Sequence, residues 1–217
     1  MKYLSRDKVY KRIEPFKTAK KIYIFCEGKK ELDYFNFFQG FTSNLDIIAI
    51  PNEDGKSDPI KLKELAESSI DKNTVMLSQE FLDEIWFVID TDRWNEGNKI
   101  LDLRHFVEKQ RKYYKGWYIA QSNPAFEIWL YYHFYSEKPK YEEIVNFTSF
   151  KDFVTTRIKG GFDNRKMPLE IQKASLNAEN NFESKNGQPE VYSTEVFTLA
   201  NQIISFIKRQ LDQCLIK

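Results

Sequence analysis

The sequence predicts an α/β protein, a parallel sheet flanked by helices and followed by a mainly helical C-terminal extension. Three observations carry this. Over residues 21–135, short β-rich apolar runs alternate with segments of helical period, the order that builds a parallel sheet with helices on its faces. The runs are apolar almost throughout, as strands covered on both sides are. Beyond residue 135 the alternation stops, and polar loop and helical stretches take over.

Lys21–Cys26 (KIYIFC) is the first strand and stops at Glu27-Gly28. Leu32, Phe35 and Phe38 then recur at helical spacing, with Gly40 as the stop signal. Asn44–Pro51 (NLDIIAIP) is the second strand, and Asn52–Asp58 a polar loop. Asp58-Pro59 pairs an N-cap with a proline at the first helical position, and a helix follows from Ile60 to Ile70. Glu84–Ile89 (EIWFVI) is the strongest strand signal and ends at Asp90-Thr91-Asp92. Gly97–Tyr114 reads as an amphipathic helix and Gly116–Ala120 as the fourth strand. Ser122-Asn123-Pro124 then opens an apolar helix, Phe126–Phe134, with proline at its first position. Residues 1–20 form a basic N-terminal arm, 21–135 the α/β domain, and 136–217 the extension, which closes with a long amphipathic helix over Thr194–Leu215.

Composition excludes several classes. With 41% hydrophobic and 30% charged residues the chain is not disordered. A formal net charge of +1 rules out a uniformly basic coat, so any basic surface is local. Residues 1–21 hold eight Lys or Arg against two acids, and residues 97–117 hold six against two. The first reads equally as a solubilising tail or a phosphate-binding arm; the second reads first as a solvated helix face and otherwise as positive charge flanking the acidic rim. Two cysteines, Cys26 and Cys214, and two histidines, His105 and His133, supply neither a zinc motif nor a disulfide framework, so a reducing cytoplasm is expected. The N-terminus has no apolar h-region, and no apolar run is long enough to span a bilayer. Cys26, Trp129, Tyr132, His133 and Phe134 read as core residues.

In open α/β sheets ligands bind beyond the carboxyl ends of the strands. Glu27 follows the first strand, and Asp90 and Asp92 follow the third; Glu31 lies one helical turn beyond Glu27. Four carboxylates on one rim repel each other unless a cation lies among them, and hard oxygen ligands suit Mg²⁺ or Mn²⁺. Acids after a strand also cap helices, so it is the joint pattern that points to a metal. A receiver-like signalling domain also gathers acids around Mg²⁺, but with an acid pair after the first strand and a single Asp after the third, the reverse of this order. Ser122 and Asn123 lie on the same rim, where they could hydrogen-bond a phosphate or a water. Glu127, in the first turn of the next helix, either joins the site or only complements the helix dipole.

These residues also carry a family resemblance. Cys26-Glu27-Gly28, Glu31 and Tyr34-Phe35 resemble the CEGxxExxYF opening of the RloB-like family, a group with a Toprim (Rossmann-like) domain. Trp86–Trp94 resembles its WxVxDxD strand, and Ala120–Trp129 with His133-Phe134 resembles its ASNPxFExWxxxHF block. Tyr192-Ser193-Thr194 resembles its closing segment, with Val191-Tyr192 where the family tends to have Asn-Pro. The family also tends to carry a Lys after an aromatic-acid pair. Here Phe162-Asp163 is followed by Asn164, with Arg165 and Lys166 after it, so Lys166 is the auxiliary basic candidate. The resemblance implies a Toprim fold, a role in phage defence or abortive infection, and a companion AAA-type ATPase. The C-terminal stripe Ile203, Phe206, Ile207 and Leu211 either docks that ATPase or packs on its own domain.

The expected function is therefore a Mg²⁺- or Mn²⁺-dependent nuclease cleaving DNA or RNA, with tRNA a serious candidate. Glu27, Asp90 and Asp92 would be catalytic metal ligands, Glu31 would help bind a second ion, and Glu127, Ser122, Asn123 and Lys166 would be auxiliary. The alternative is a catalytically inert Toprim-fold module that binds nucleic acid or a nucleotide.

Overall fold

The computed structural model describes residues 12–52, 58–91 and 98–215. Four parallel strands, β1 (Lys20–Cys26), β2 (Leu45–Pro51), β3 (Glu84–Asp90) and β4 (Trp117–Asn123), form a sheet in the order β2-β1-β3-β4. Short strands β5 (Ser184–Lys185) and β6 (Gln188–Pro189) pair as a hairpin, and β7 (Ser193–Thr194) adds antiparallel to β4 as the fifth strand of the main sheet. The sequence pattern over 136–217 carries no sign of these two-residue strands. The helices are α1 (Lys29–Asn36), α2 (Pro59–Asp71), α3 (Lys99–Arg111), α4 (Glu127–Tyr132), α5 (Tyr141–Ile144), α6 (Phe150–Arg157), α7 (Ile171–Asn180) and α8 (Val196–Leu215).

Side chains of β1 alternate between two cores, because successive residues of a strand face opposite sides. Tyr23 and Phe25 join Phe87, Ile89 and the buried faces of α2 and α3, including Leu62, Ala66, Ile100 and Leu103. Ile22, Ile24 and Cys26 join Trp86, Val88 and side chains of α1, α4, α7 and α8. Both faces are thus sealed, which explains the unbroken apolar runs.

Most elements lie where the sequence places them. Asp58 caps α2 as expected, its Oδ1 accepting from the Ile60 and Lys61 amides at 2.9 and 3.0 Å; such a cap contributes about 1 kcal/mol. Three differences matter. Helix α1 ends at Asn36 and gives way to turns before Gly40, whose φ of 77° suits glycine. Strand β4 continues past Ala120 to Asn123, because β7 pairs with Ser122 and Asn123. Pro124 follows a cis peptide bond and does not open α4, which starts at Glu127.

The basic arm is partly laid against the domain. The Ile13 and Phe16 amides donate to Gly40 and Ser43 carbonyls at 3.0 and 2.7 Å, while residues 1–11 lie outside the described residues. The C-terminal extension shares the α1 and α4 core. Ile203, Ile207 and Leu211 are fully buried in it and Phe206 packs against it, so this stripe covers its own domain and is not an open docking surface. No helix among the described residues is long and apolar enough to cross a membrane.

Candidate active site

Strand β1 has β2 on one side and β3 on the other, so the order in which strands are added reverses between β1 and β3. A crevice opens beyond the carboxyl ends of strands at such a switch point. The register pairs Cys26 with Val88, which brings Glu27 and Asp90 to the same rim. Glu27 Oε2 accepts the Asp90 amide at 2.9 Å, tying the two strand ends together. Asp90 Oδ1 accepts the Phe126 amide at 2.7 Å, and its Oδ2 lies 3.2 Å from the Lys151 ammonium at the start of α6.

Gly28 precedes α1 in extended conformation, and Glu31 stands in the helix's first turn. The Glu31 side chain folds back over Gly28 so closely that a Cβ at residue 28 would come within 2.8 Å of Glu31 Oε2. Glu127, in the first turn of α4, pairs with Lys30 Nζ at 2.6 Å. Carboxylates from β1, α1, β3 and α4 and two ammonium groups therefore share one rim.

Burial sharpens their interaction. Asp90, Glu31 and Glu127 are only 5, 6 and 3% exposed, values rare for acids. Burial pushes the Asp90 carboxyl well above the usual range; Glu31 and Glu27 push it further and Lys151 opposes them. Glu31 is raised by burial and by Glu127, and held back by its own amide, Lys151 and Lys30. The charge on Asp90 and on Glu31 is thus disfavoured by burial first and by neighbouring acids second.

The structure brings together Glu27, Glu31, Asp90 and Glu127. Asp92 lies outside the described residues. Ser122 and Asn123 point elsewhere. Fully buried Ser122 Oγ shares a 2.8 Å hydrogen bond with Thr194 Oγ1, and Asn123 Nδ2 donates to the Pro189 carbonyl at 2.9 Å. The cause is the β4 extension: in this structure both side chains are engaged by the strand pairing and the adjoining hairpin. Lys166 is largely exposed and turns to Asp163 at 3.8 Å; the lysine on Asp90 is Lys151.

The site uses residues that sequence reasoning missed. Lys30 had a signal, since it lies between Glu27 and Glu31. Lys151 had none, because 61 residues separate it from Asp90. A buried relay also holds the turn after Asp90. Arg104 Nη2 donates to Gln121 Oε1 at 2.7 Å and to Glu195 Oε2 at 2.9 Å. Gln121 Nε2 donates to Thr91 Oγ1 at 2.8 Å, and that hydroxyl donates to the Ser122 carbonyl. His133 is core, as expected. It lies between Tyr34 Oη and the Trp129 carbonyl, and burial pushes it down to about 3, so it stays neutral. Burial also pushes the Cys26 thiol well up, which is wrong for a nucleophile.

The donor chemistry fits a hard divalent cation: buried carboxylate oxygens that repel one another, with an ammonium already lying against Asp90 where positive charge is favoured. Among the described residues, no group of three or more His, Cys, Asp or Glu side chains is gathered tightly enough to grip an ion. The acids therefore fit a divalent ion by type and location, and not by the spacing they have in this structure.

No curated protein and no solved structure matches the chain. A family model described as RloB-like protein matches residues 22–204, from β1 into α8, a span that contains every acid and lysine of the rim. The chain belongs to the RloB-like family.

Proposed function

We propose that this protein is a Toprim-type, Mg²⁺- or Mn²⁺-dependent nuclease that cleaves phosphodiester bonds. The observation that carries the reading is the pair of buried, mutually repelling acids, Asp90 and Glu31, at the switch point of the sheet with Lys30 and Lys151 beside them. Placing such charges out of water costs several kcal/mol per ion, a cost that packing alone does not explain.

Glu27, Glu31 and Asp90 would hold the ion, with Asp92 as the further acid of the motif. A bound Mg²⁺ or Mn²⁺ supplies Lewis-acid polarisation of the phosphate and activation of a water. Glu27 fixes the Asp90 backbone through its amide, and Phe126 N–H fixes the Asp90 carboxylate. Lys30, about half exposed, can meet a phosphate oxygen while keeping Glu127 Oε1 paired. Lys151, also about half exposed, can leave Asp90 Oδ2 for the substrate once a divalent ion takes its place. Glu31, its carboxyl raised in the metal-free chain, would release its proton as the ion binds.

The family resemblance suggests a setting of antiphage defence beside an AAA-type ATPase, and the absence of a disulfide at Cys26 or Cys214 is compatible with a reducing cytoplasm. The buried α8 stripe directs the search for that partner's dock to other surfaces.

The second reading is an inert nucleic-acid or nucleotide-binding module. It is favoured by the ion pair of Lys151 with Asp90, which neutralises the acid without any metal. Incubation of the purified chain with plasmid, single-stranded DNA and total tRNA, with Mn²⁺ or with EDTA, separates the two. Mn²⁺-dependent cleavage of any substrate supports the nuclease. Binding without cleavage in every condition supports the module.

A further inference from the structure

On the nuclease reading, we propose that the cleft beside the carboxylate rim receives one unstacked nucleobase of the strand whose phosphate lies over the acids. The cleft has a volume of about 240 Å³ and shares Lys30 and Glu127 with the rim, so a group bound there is continuous with anything held at Asp90. Its walls include Val154 and Ile158, both buried, and the Phe162 ring. That ring is fixed edge-on against His133 at 5.0 Å and 83° and against Phe134 at 6.3 Å and 86°. Gly160 and Gly161 lead into it at φ of 83° and 73°, a left-handed turn open to glycine at little cost. Gly161 lines the cleft without a side chain, and a Cβ there would meet nothing within 4 Å.

An apolar slot with an aromatic wall fits the faces of a base, which stack on such rings whatever their sequence. Asn164 at the edge of the slot carries both donor and acceptor, as base edges require. Size decides between one base and more. The volume falls below the ~300–1,000 Å³ that holds a drug-sized ligand. It suits a single ring system, not a base pair, so the substrate region is single-stranded, looped or unpaired at that nucleotide.

The test compares the affinity of the full chain for a short single-stranded oligonucleotide and for an abasic backbone of equal length. Both are measured with Ca²⁺ replacing Mg²⁺. The expected result is about five- to 150-fold weaker binding of the abasic strand, from loss of one stacked base. Phe162→Ala should erase that difference. Because its ring also supports the core, Thr155→Met serves as the second variant: it adds bulk from an exposed position of α6 into the cleft. It should lower affinity for the base-bearing strand to the abasic level and leave abasic binding unchanged. Equal binding of the two strands by the wild type overturns the base cleft and leaves the nuclease reading standing. An undiminished preference in the Thr155→Met protein overturns the location. Failure of both strands to bind overturns the nuclease reading and the cleft with it.

Discussion

Gly28→Ala probes the site through a single methyl group. The added Cβ would lie 2.8 Å from Glu31 Oε2, while ordinary contact begins at 3.4 Å, so the carboxylate must retreat by about 0.6 Å or swing away. Because the obstacle is the far end of a flexible side chain, the fold can yield there. Gly28 is extended, with φ −138° and ψ 176°, and alanine adopts that backbone freely. Alanine gains about 0.4–1 kcal/mol by restricting the unfolded chain and loses up to about 1 kcal/mol as a poorer N-cap. The metal-free stability should therefore change by less than about 1 kcal/mol.

The ion-bound state should suffer more. Displacing groups that position a metal ligand costs about 10- to 100-fold in affinity. At an ion concentration of 100 Kd for the wild type, binding stabilises the folded chain by about 2.7 kcal/mol. After that loss the gain falls to between about 0.4 and 1.4 kcal/mol. For a chain of this length 1 kcal/mol moves Tm by about 2–4 °C. Thermal melts with and without Mn²⁺ should thus show a wild-type shift of about 5–11 °C and a variant shift of at most about half that. A Gly28→Ala protein with the full shift would refute Glu31 as a ligand.

Asp90→Asn should lower cleavage by at least about 100-fold, as removal of a transition-state electrostatic group does. The metal-free fold should stay equally stable or gain, because the repulsion from Glu31 and Glu27 is relieved. Since folding raises the Asp90 carboxyl, its stabilising contribution is present below the ordinary value of about 3.9 and lost as pH rises through the raised one. Metal-free wild type should therefore lose stability relative to Asp90→Asn from about pH 4 towards neutrality, and urea titrations at several pH values check the sign. Lys151→Gln removes the ammonium that competes for Asp90; calorimetry should find Mn²⁺ bound several-fold more tightly, with cleavage reduced. Gln121→Leu strands the Arg104 and Thr91 partners of a fully buried amide and should cost about 1–3 kcal/mol, read as a lower urea midpoint.

Much of the fold was legible because its signals are local. Apolar runs report burial on two faces, Asp58-Pro59 reports a cap, and Glu27 and Asp90 report the rim once strands are assigned. Less was legible where distant partners decide. Ser122 and Asn123 look free in the sequence, yet Thr194 of β7 and Pro189 of β6 engage their side chains from about seventy residues away. Lys151 resembles any solvated lysine, and only the packing of α6 against α4 brings it to Asp90. Glu127 was ambiguous for the same reason: a first-turn acid serves the helix dipole equally well, and Lys30 and Glu31 become its neighbours only in the folded chain.

The central claim is that these acids gather around a divalent ion, and crystals soaked in Mn²⁺ test it most directly by anomalous scattering. The account predicts a peak between Glu27, Glu31 and Asp90, with the Lys151 ammonium moved off Asp90 Oδ2. Saturated crystals with no peak at this rim, and Lys151 still paired with Asp90, would contradict it.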